Sequence, residues 1–405
     1  MRPATIRPGV FAVGAIDWNR RLFDSLIPLP DGTSYNSYLI QASEKTVLID
    51  TVDPVMTQEL FNHLDQLGVK KIDFVVANHA EQDHSGSIPA VLAKFPQAKV
   101  LCSTKCKPFL MDLLQIAEGR IQEVQDGEII SLGDRTLKFI YTPWVHWPET
   151  MVTYLVEEKI LFSCDFFGGH LSGTDLFVKD ESQVYEASKR YFAEIMMPFR
   201  TNIEKDLDKL KDFPIEFIAP SHGPVHNHPQ LIMQLWRSWV TDEPKNIAVI
   251  AYVSMHGSTT LMVNHLAQAL GGKGVEVKVF DLTVTDLGKL AMALVDAATI
   301  VIGSPTVLAG PHPNAVAATV LANALRPRLK YATIIGSYLW GGKTVDTLKA
   351  LIPNLNVELL EPILIKGLPK EADYASLDKL ADTIAEKHKP LALAVPVKVT
   401  CNSKI

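Results

Sequence analysis

Phe74-Val75-Val76-Ala77, followed at once by Asn78 and then by His79-Ala80-Glu81-Gln82-Asp83-His84, is the stretch from which the rest of the chain can be placed. The apolar run reads as a buried strand. Four side chains of metal-ligand type, His79, Glu81, Asp83 and His84, then fall within six residues. On a strand they would point to alternate sides, and on a helix only His79 and Asp83 would share a face. A tight loop at the carboxyl end of a strand can instead turn all four toward one point. Gly86 and Pro89 predict that this loop closes into a helix over residues 87–95. One such residue alone would read as an ordinary solvated loop side chain. Two histidines and two acids this close predict a metal site.

Outward from this stretch, residues 10–16 and 35–49 read as short strands with Gly and polar residues between them. Asp50-Thr51-Val52-Asp53 closes the second run, and an amphipathic helix is predicted over 56–67. The central strand covers 72–77. Further strands are predicted at 100–103, 137–141, 151–156 and 160–163. This strand-rich half with helices between implies two sheets packed together with helices outside. No internal repeat or low-complexity segment interrupts it.

Three later residues can complete the site. His146 lies in Thr142-Pro143-Trp144-Val145-His146-Trp147-Pro148, a turn between two predicted strands. Asp165 ends the apolar run Ile160-Leu161-Phe162-Ser163-Cys164, and His222 follows the predicted strand 216–219. Strand ends on one edge of a sheet converge, so these residues can meet the first four although far from them in sequence. Trp147 either walls the pocket or packs in the core. His170 either supports the ligands or faces solvent.

Composition narrows the class. With 405 residues the chain is too long for one ordinary core, so two domains are expected. Hydrophobic residues at 47% and charged residues at 21% describe a globular protein. A net charge of −6 gives no footprint for nucleic acid. No apolar run reaches the roughly 20 residues needed to span a bilayer. The first residues carry no signal-peptide pattern, so a cytoplasmic location is expected. Cys102, Cys106, Cys164 and Cys401 are too few for a disulfide framework, and Cys102 and Cys106 read as buried thiols.

The loop resembles the HxHxDH motif of the metallo-β-lactamase fold, with Glu81 in place of the second histidine. HxExDH is the mark of the flavodiiron proteins, also called A-type flavoproteins, and the chain is identified as resembling their minimal two-domain class. An added carboxylate makes the pocket harder and more anionic, which suits iron better than zinc. The resemblance implies one iron on His79, Glu81 and His146, a second on Asp83, His84 and His222, and a bridge through Asp165. His226 and His228 are set aside, because the family's ligand is the histidine of the His-Gly pair. The implied fold is α/β, an N-terminal metallo-β-lactamase-like αββα sandwich over 1–243 and a C-terminal flavodoxin-like doubly wound parallel sheet over 244–390. The tail 391–405 has no assigned role.

The second half supports this independently. Thr241-Asp242-Glu243-Pro244-Lys245-Asn246 reads as a linker. Strands are then predicted at 247–252, 275–280, 299–303, 332–336 and 357–360, alternating with helices at 259–270, 286–297, 314–324, 343–351 and 374–387. Such βα alternation places a ligand at the carboxyl ends of the strands. Ser254, Met255, His256, Gly257, Ser258 and Thr259 form the first βα turn, where hydroxyls, a glycine and a helix N-terminus make a phosphate cradle. The turn resembles the flavodoxin loop for the phosphate of FMN, with His256 departing from the pattern. Pro305, Thr306, Val307, Leu308, Ala309 and Gly310 after the third strand resemble a loop flanking the isoalloxazine. Ser337, Tyr338, Leu339, Trp340, Gly341 and Gly342 after the fourth resemble the other, and Trp340 can stack on the ring. Gly271-Gly272-Lys273-Gly274 follows a helix and precedes a strand, so it is a C-cap turn and not a dinucleotide fingerprint.

The resemblance implies an oxidoreductase with FMN and two iron ions that reduces O2 to water, NO to N2O, or both. No residue pattern separates the two gases. It also implies an external electron donor, such as rubredoxin or a reduced deazaflavin coenzyme. A homodimer or homotetramer is implied as well, pairing head to tail so that the flavin of one subunit serves the irons of another. Two other readings stay open at this point. One is a zinc hydrolase on the same scaffold, and the other a non-catalytic flavoprotein electron carrier.

Overall fold

Apolar residues in the first half alternate between two cores along each strand, and this alternation dictates the layering. Val47 and Ile49, Val76 and Leu101 enter one cluster, while Leu48, Val75 and Val100 enter another. The computed structural model describes residues 2–392. It divides into two units, Met1–Thr241 and Asp242–Ile405.

In the first unit one sheet runs, edge to edge, Ala4–Arg7, Val10–Ala12, Tyr38–Gln41, Thr46–Ile49, Phe74–Ala77, Lys99–Ser103 and Ile121–Val124. Pairing is antiparallel up to Thr46–Ile49 and parallel beyond it. The second sheet runs Ile129–Ser131, Thr136–Tyr141, Met151–Leu155, Ile160–Cys164 and Phe217–Pro220. The inner core lies between the sheets, where Val47, Ile49, Val76 and Leu101 meet Leu137, Phe139, Leu155 and Phe162. On the outer face of the first sheet, Leu48, Val75 and Val100 pack against Leu60 and Leu64 of the helix Thr57–Gln66 and Leu110 of the helix Cys106–Leu114. Helix, sheet, sheet and helix follow in layers. Cys102 and Cys106 are buried free thiols.

Several elements differ from the sequence-based expectation. The run 10–16 is two strands, Val10–Ala12 and Ala15–Asp17, in different sheets. The break falls at Gly14, where a Cβ would stand 2.2 Å from the carbonyl oxygen of Tyr35. The run 35–49 is the end of Thr33–Tyr35 followed by Tyr38–Gln41 and Thr46–Ile49. The helices Glu181–Tyr191, Arg200–Leu210 and Pro229–Thr241 add to the expected elements.

The second unit holds a parallel sheet in the order Glu276–Asp281, Lys245–Tyr252, Ala297–Val307, Tyr331–Tyr338, with Glu358–Leu359 and Ile363–Lys366 both pairing with the last. In order of sequence this is 2-1-3-4-5, the doubly wound flavodoxin-like arrangement. Val249 and Ala251 face Leu290, Leu294 and Ala318, whereas Ala248 and Ile250 face Leu266, Leu377 and Ile384. Helices therefore cover both faces. The strand expected over 357–360 is Glu358–Leu359, and a second piece, Ile363–Lys366, follows beyond Pro362, which has no N–H to continue the ladder. The third strand runs on to Val307 and turns back as a hairpin, Thr306 opposite Pro311, so Pro305, Thr306 and Val307 are strand residues and not loop. The last helix, Glu371–Ala392, takes in Leu391 and Ala392 of the tail; 393–405, including Cys401, lie outside the described residues. No helix among the described residues is long and apolar enough to cross a membrane.

Candidate metal centre

The strand Phe74–Ala77 delivers Asn78 and His79 to the sheet edge, and a buried brace fixes them there. Asp50, in the left-handed region at φ 52°, accepts from Asn78 N–H and from Asn78 Nδ2, each at 2.8 Å. Thr51 then takes the other end of the motif, its N–H and hydroxyl both donating to the carbonyl of His84 at 2.7 and 2.6 Å. Between these points the chain is not all loop. Gln82–Ser85 is a helical turn with Glu81 at its N-cap position, so helix begins earlier than residue 87. That turn presents Asp83 and His84 to the same side as His79 and Glu81.

The seven candidate ligands of the sequence converge. Glu81 Oε2 lies 3.1 Å from Nε2 of both His79 and His146. Asp165 Oδ2 lies 3.6 Å from the same two nitrogens. The other oxygen of Asp165, Oδ1, lies 3.0 Å from His84 Nε2 and 3.6 Å from His222 Nε2. Asp83 completes that second group, 3.3 Å from His84 Nε2 and 3.1 Å from His222 Nε2. Ligand atoms around one ion, with bonds of about 2.0–2.2 Å, stand roughly 3.0–3.6 Å apart. The spacing therefore matches two ion positions, His79-Glu81-His146 and Asp83-His84-His222, with the two oxygens of Asp165 divided between them.

Electrostatics test whether metal fits. Both carboxylate oxygens of Asp83 and of Asp165 are buried without any hydrogen-bond partner. Such orphaned charges are expensive unless a cation meets them. Burial by itself would depress His84, yet Asp165 and Asp83 raise it to about 9. Burial opposes His79 too, while Glu149 and Glu81 lift it well above the ordinary histidine value. For Asp165, burial would raise the carboxyl, but the charges of His84, His79 and His146 hold it well below its usual range. The buried carboxylates thus favour positive charge at both ion positions, and the donor set of nitrogens and carboxylates suits iron.

Residues outside the motif complete the centre. Glu149 Oε1 lies 2.7 Å from His79 Nδ1, and the carbonyl of Ser34 lies 2.6 Å from His222 Nδ1. Glu149 stands three residues after His146, yet nothing in that turn marks it as a partner of His79. His170 is buried, not exposed. Its Nδ1 is 2.9 Å from Thr33 Oγ1, its ring 4.4 Å from that of His222, and burial first, then the nearness of His222, press it well below the ordinary histidine value. Trp147 stands edge-on to His79 at 5.0 Å and packs on the outer core, so both readings of it hold. His226 Nε2 is engaged by the carbonyl of Phe167 at 3.1 Å, and His228 is exposed; neither joins the cluster.

The second unit carries a separate candidate site at the carboxyl ends of its strands. Gly257, at φ 90°, lets the first βα turn fold back, and a Cβ there would meet nothing within 4 Å. Ser254 Oγ accepts from Gly257 N–H at 3.2 Å and from Thr260 N–H at 3.3 Å. Thr259 Oγ1 is buried at the start of the helix Ser258–Gly272 with no partner. A phosphate at this helix N-terminus would meet both the open space and the orphaned hydroxyl. Met255 and His256 are exposed beside it. Leu308 at 88%, Leu339 at 70% and Trp340 at 66% exposure rim the same strand ends, with Ala309, Gly341 and Gly342 also open. Large apolar side chains gathered there suit a planar ring. Pro305 and Ser337 are buried within their strands, and Thr306, Val307, Gly310 and Tyr338 are half-buried.

Comparison with known proteins places this geometry. Residues 33–223 match the ODP family beta lactamase. A nitric oxide reductase of Moorella thermoacetica is 35% identical over 95% of this chain and 99% of that protein. Rubredoxin-oxygen oxidoreductase of Megalodesulfovibrio gigas is 32% identical over 96% and 99%. Coenzyme F420H2 oxidase of Methanothermobacter marburgensis is 30% identical over 86% and 89%. Among solved structures, rubredoxin oxygen:oxidoreductase from Desulfovibrio gigas superposes with a TM-score of 0.93 at 30% identity, covering 97% of this chain and all of that one. The flavodiiron protein of Giardia intestinalis gives 0.88 at 28% identity, covering 96% and 98%.

Proposed function

The chain belongs to the flavodiiron, or type A flavoprotein, family, and on that premise we propose that it reduces O2 to water, NO to N2O, or both, using electrons that arrive through FMN. The observation that carries this reading is Asp165, whose two buried oxygens face two separate pairs of histidines. In the proposed assignment His79, Glu81 and His146 would hold one iron, Asp83, His84 and His222 the other, and Asp165 would offer one oxygen to each. FMN takes the turn Ser254–Thr259 and the two loops around Leu308 and Trp340.

When bound, two irons and a flavin together supply up to four electrons, enough for O2 + 4 H⁺ + 4 e⁻ → 2 H2O, whereas 2 NO + 2 H⁺ + 2 e⁻ → N2O + H2O needs two. The residues of this chain set the conditions. Glu81, Asp83 and Asp165 balance the charge of the ions within a buried pocket, where hard oxygen ligands favour the ferric state. Glu149 and Ser34 hold His79 and His222 in the tautomer that leaves Nε2 free for the ion. Trp147 excludes water from one side of His79. Glu81 at this position, against a histidine in a zinc hydrolase of the same scaffold, argues for redox chemistry over hydrolysis.

The donor is an external carrier, a rubredoxin-like protein or a reduced deazaflavin, and the chain works in the cytoplasm as a homodimer or homotetramer in which the flavin of one subunit serves the irons of another. Two measurements test these proposals. The reduced protein should convert O2 to water or NO to N2O, whereas zinc-loaded protein, whose flavin alone can pass only two electrons to O2 and give H2O2, should form neither product; equal yield of water or N2O with zinc would overturn the redox reading. For the assembly, a subunit lacking iron ligands (His79→Ala with Asp165→Ala) and one lacking FMN (Gly257→Asp) should each be inactive alone. Mixed, they should recover up to about half of the wild-type rate per heterodimer. No recovery after proven subunit exchange would exclude transfer between subunits.

A further inference from the structure

The histidines of the cluster turn Nε2 toward the metal positions, and three of them differ in what holds the other nitrogen. His79 Nδ1 lies 2.7 Å from Oε1 of Glu149, which also accepts Ala80 N–H at 3.1 Å. His222 Nδ1 lies 2.6 Å from a neutral backbone carbonyl, that of Ser34. His84 Nδ1 is buried with no hydrogen-bond partner. A carboxylate on the far nitrogen of a ligand imidazole fixes its tautomer and makes the ligating nitrogen a stronger donor; a carbonyl fixes the tautomer without adding charge. An imidazole with no partner gains neither.

Glu149 is built to act strongly. It is buried, and its second oxygen, Oε2, has no partner to disperse the charge. Its backbone belongs to the turn that carries His146, where its carbonyl accepts from Ser103 Oγ at 2.6 Å and the next residue, Thr150, donates from its hydroxyl to the carbonyl of Thr142 at 2.5 Å. The same residue thus braces His79 by its side chain and the His146 turn by its backbone. Nothing equivalent serves Asp83, His84 and His222, whose outer contacts among the described residues are neutral or missing.

We propose that Glu149 is a positioning residue that makes the two metal positions unequal, the ion on His79, Glu81 and His146 being held more tightly and kept more readily ferric than the ion on Asp83, His84 and His222. The inference rests on the diiron reading above. It predicts an order of events in this chain: iron leaves the second position first, and on oxidation of the diferrous protein the first position becomes ferric before the second.

The test is Glu149→Gln in the full-length iron- and FMN-loaded protein. Glutamine keeps the shape and an oxygen for His79 Nδ1–H and Ala80 N–H while removing the charge. With a ferrous chelator under anaerobic conditions, wild type should release iron in two phases of equal amplitude. Glu149→Gln should speed the slow phase by about 10–100-fold, the usual effect of losing such a partner, and leave the fast phase unchanged. In a redox titration followed by EPR, the mixed-valence form should span a narrower range of potential in the variant. Unchanged tryptophan emission, five of the six tryptophans lying in the unit that holds Glu149, shows that the variant is folded. Glu149→Ala, which removes both charge and acceptor, must accelerate the slow phase at least as much. Single-phase release from wild type, an effect of Glu149→Gln on the fast phase alone, or an unchanged slow phase would overturn the inference. Purified protein that binds zinc and no iron would overturn the diiron reading instead, so the two failures are distinguishable.

Discussion

Replacing Asp50 by asparagine perturbs the buried brace behind the metal motif and yields an effect that depends on pH. The exchange is isosteric, and asparagine tolerates the left-handed φ of 52° as well as aspartate does. What changes is hydrogen bonding and charge. Asp50 offers two oxygens to two donors of Asn78 at 2.8 Å, whereas the variant side chain would offer one oxygen and one amide. One donor of Asn78 then faces another donor, as it does in wild type once Asp50 is protonated and presents one oxygen and one hydroxyl. Burial raises the wild-type carboxyl from 3.8 to about 6. Because the folded pKa lies above the unfolded one, the proton's stabilising contribution is full below about pH 4 and lost as pH rises through about 6. At about 1.4 kcal/mol for each tenfold change in proton affinity, the burden on wild type at pH 8 is then roughly 3 kcal/mol. The uncharged variant escapes it. Asp50→Asn should therefore match wild type within ~1 kcal/mol at pH 4 and exceed it by roughly 3 kcal/mol at pH 8. Urea unfolding followed by tryptophan emission reads this unit selectively, since Trp18, Trp144, Trp147, Trp236 and Trp239 precede residue 242 and only Trp340 follows it. A stability difference that is the same at both pH values would refute the reasoning.

Other expected outcomes follow from the two sites. Asp165→Ala removes the shared carboxylate, so at least one of two irons should be lost on metal analysis while FMN stays bound; retention of both irons would remove Asp165 from the site. Glu81→His should shift occupancy toward zinc and abolish gas reduction, and full turnover with both irons kept would defeat the reasoning from ligand hardness. Gly257→Asp puts a side chain at φ 90° and a negative charge where a phosphate would meet backbone amides, so the protein should fold, keep its iron and lack flavin absorbance. Undiminished flavin would place the phosphate elsewhere.

Much of the first site was legible because its residues stand at strand ends. His79, Asp165 and His222 each follow an apolar run, and runs in packed sheets bring their ends together without help from sequence proximity. The helical turn at Gln82–Ser85 was hidden, since the five polar residues between Ala80 and Gly86 carry no hydrophobic period to reveal it. Glu149, Ser34 and Asp50 were not legible as a group. Each acts on a nitrogen or amide of another segment, 70, 188 and 28 residues away, and no pattern within one element records such a partner. The second piece of the fifth strand, Ile363–Lys366, was missed because the expected run stopped at Leu360, short of Glu361 and Pro362. Gly14 shows another limit. Its need for no side chain comes from the close crossing of Tyr35, visible only in three dimensions.

A chain that holds both an electron-accepting flavin and a redox-active metal pair has a fixed electron capacity. Anaerobic reductive titration of the purified protein, with electrons counted per chain, measures it directly. Two electrons entering a flavin and two entering iron make four per chain, all four returned on mixing with excess O2. Two electrons per chain, taken up by flavin alone over a site filled with zinc, would contradict a redox-active metal pair.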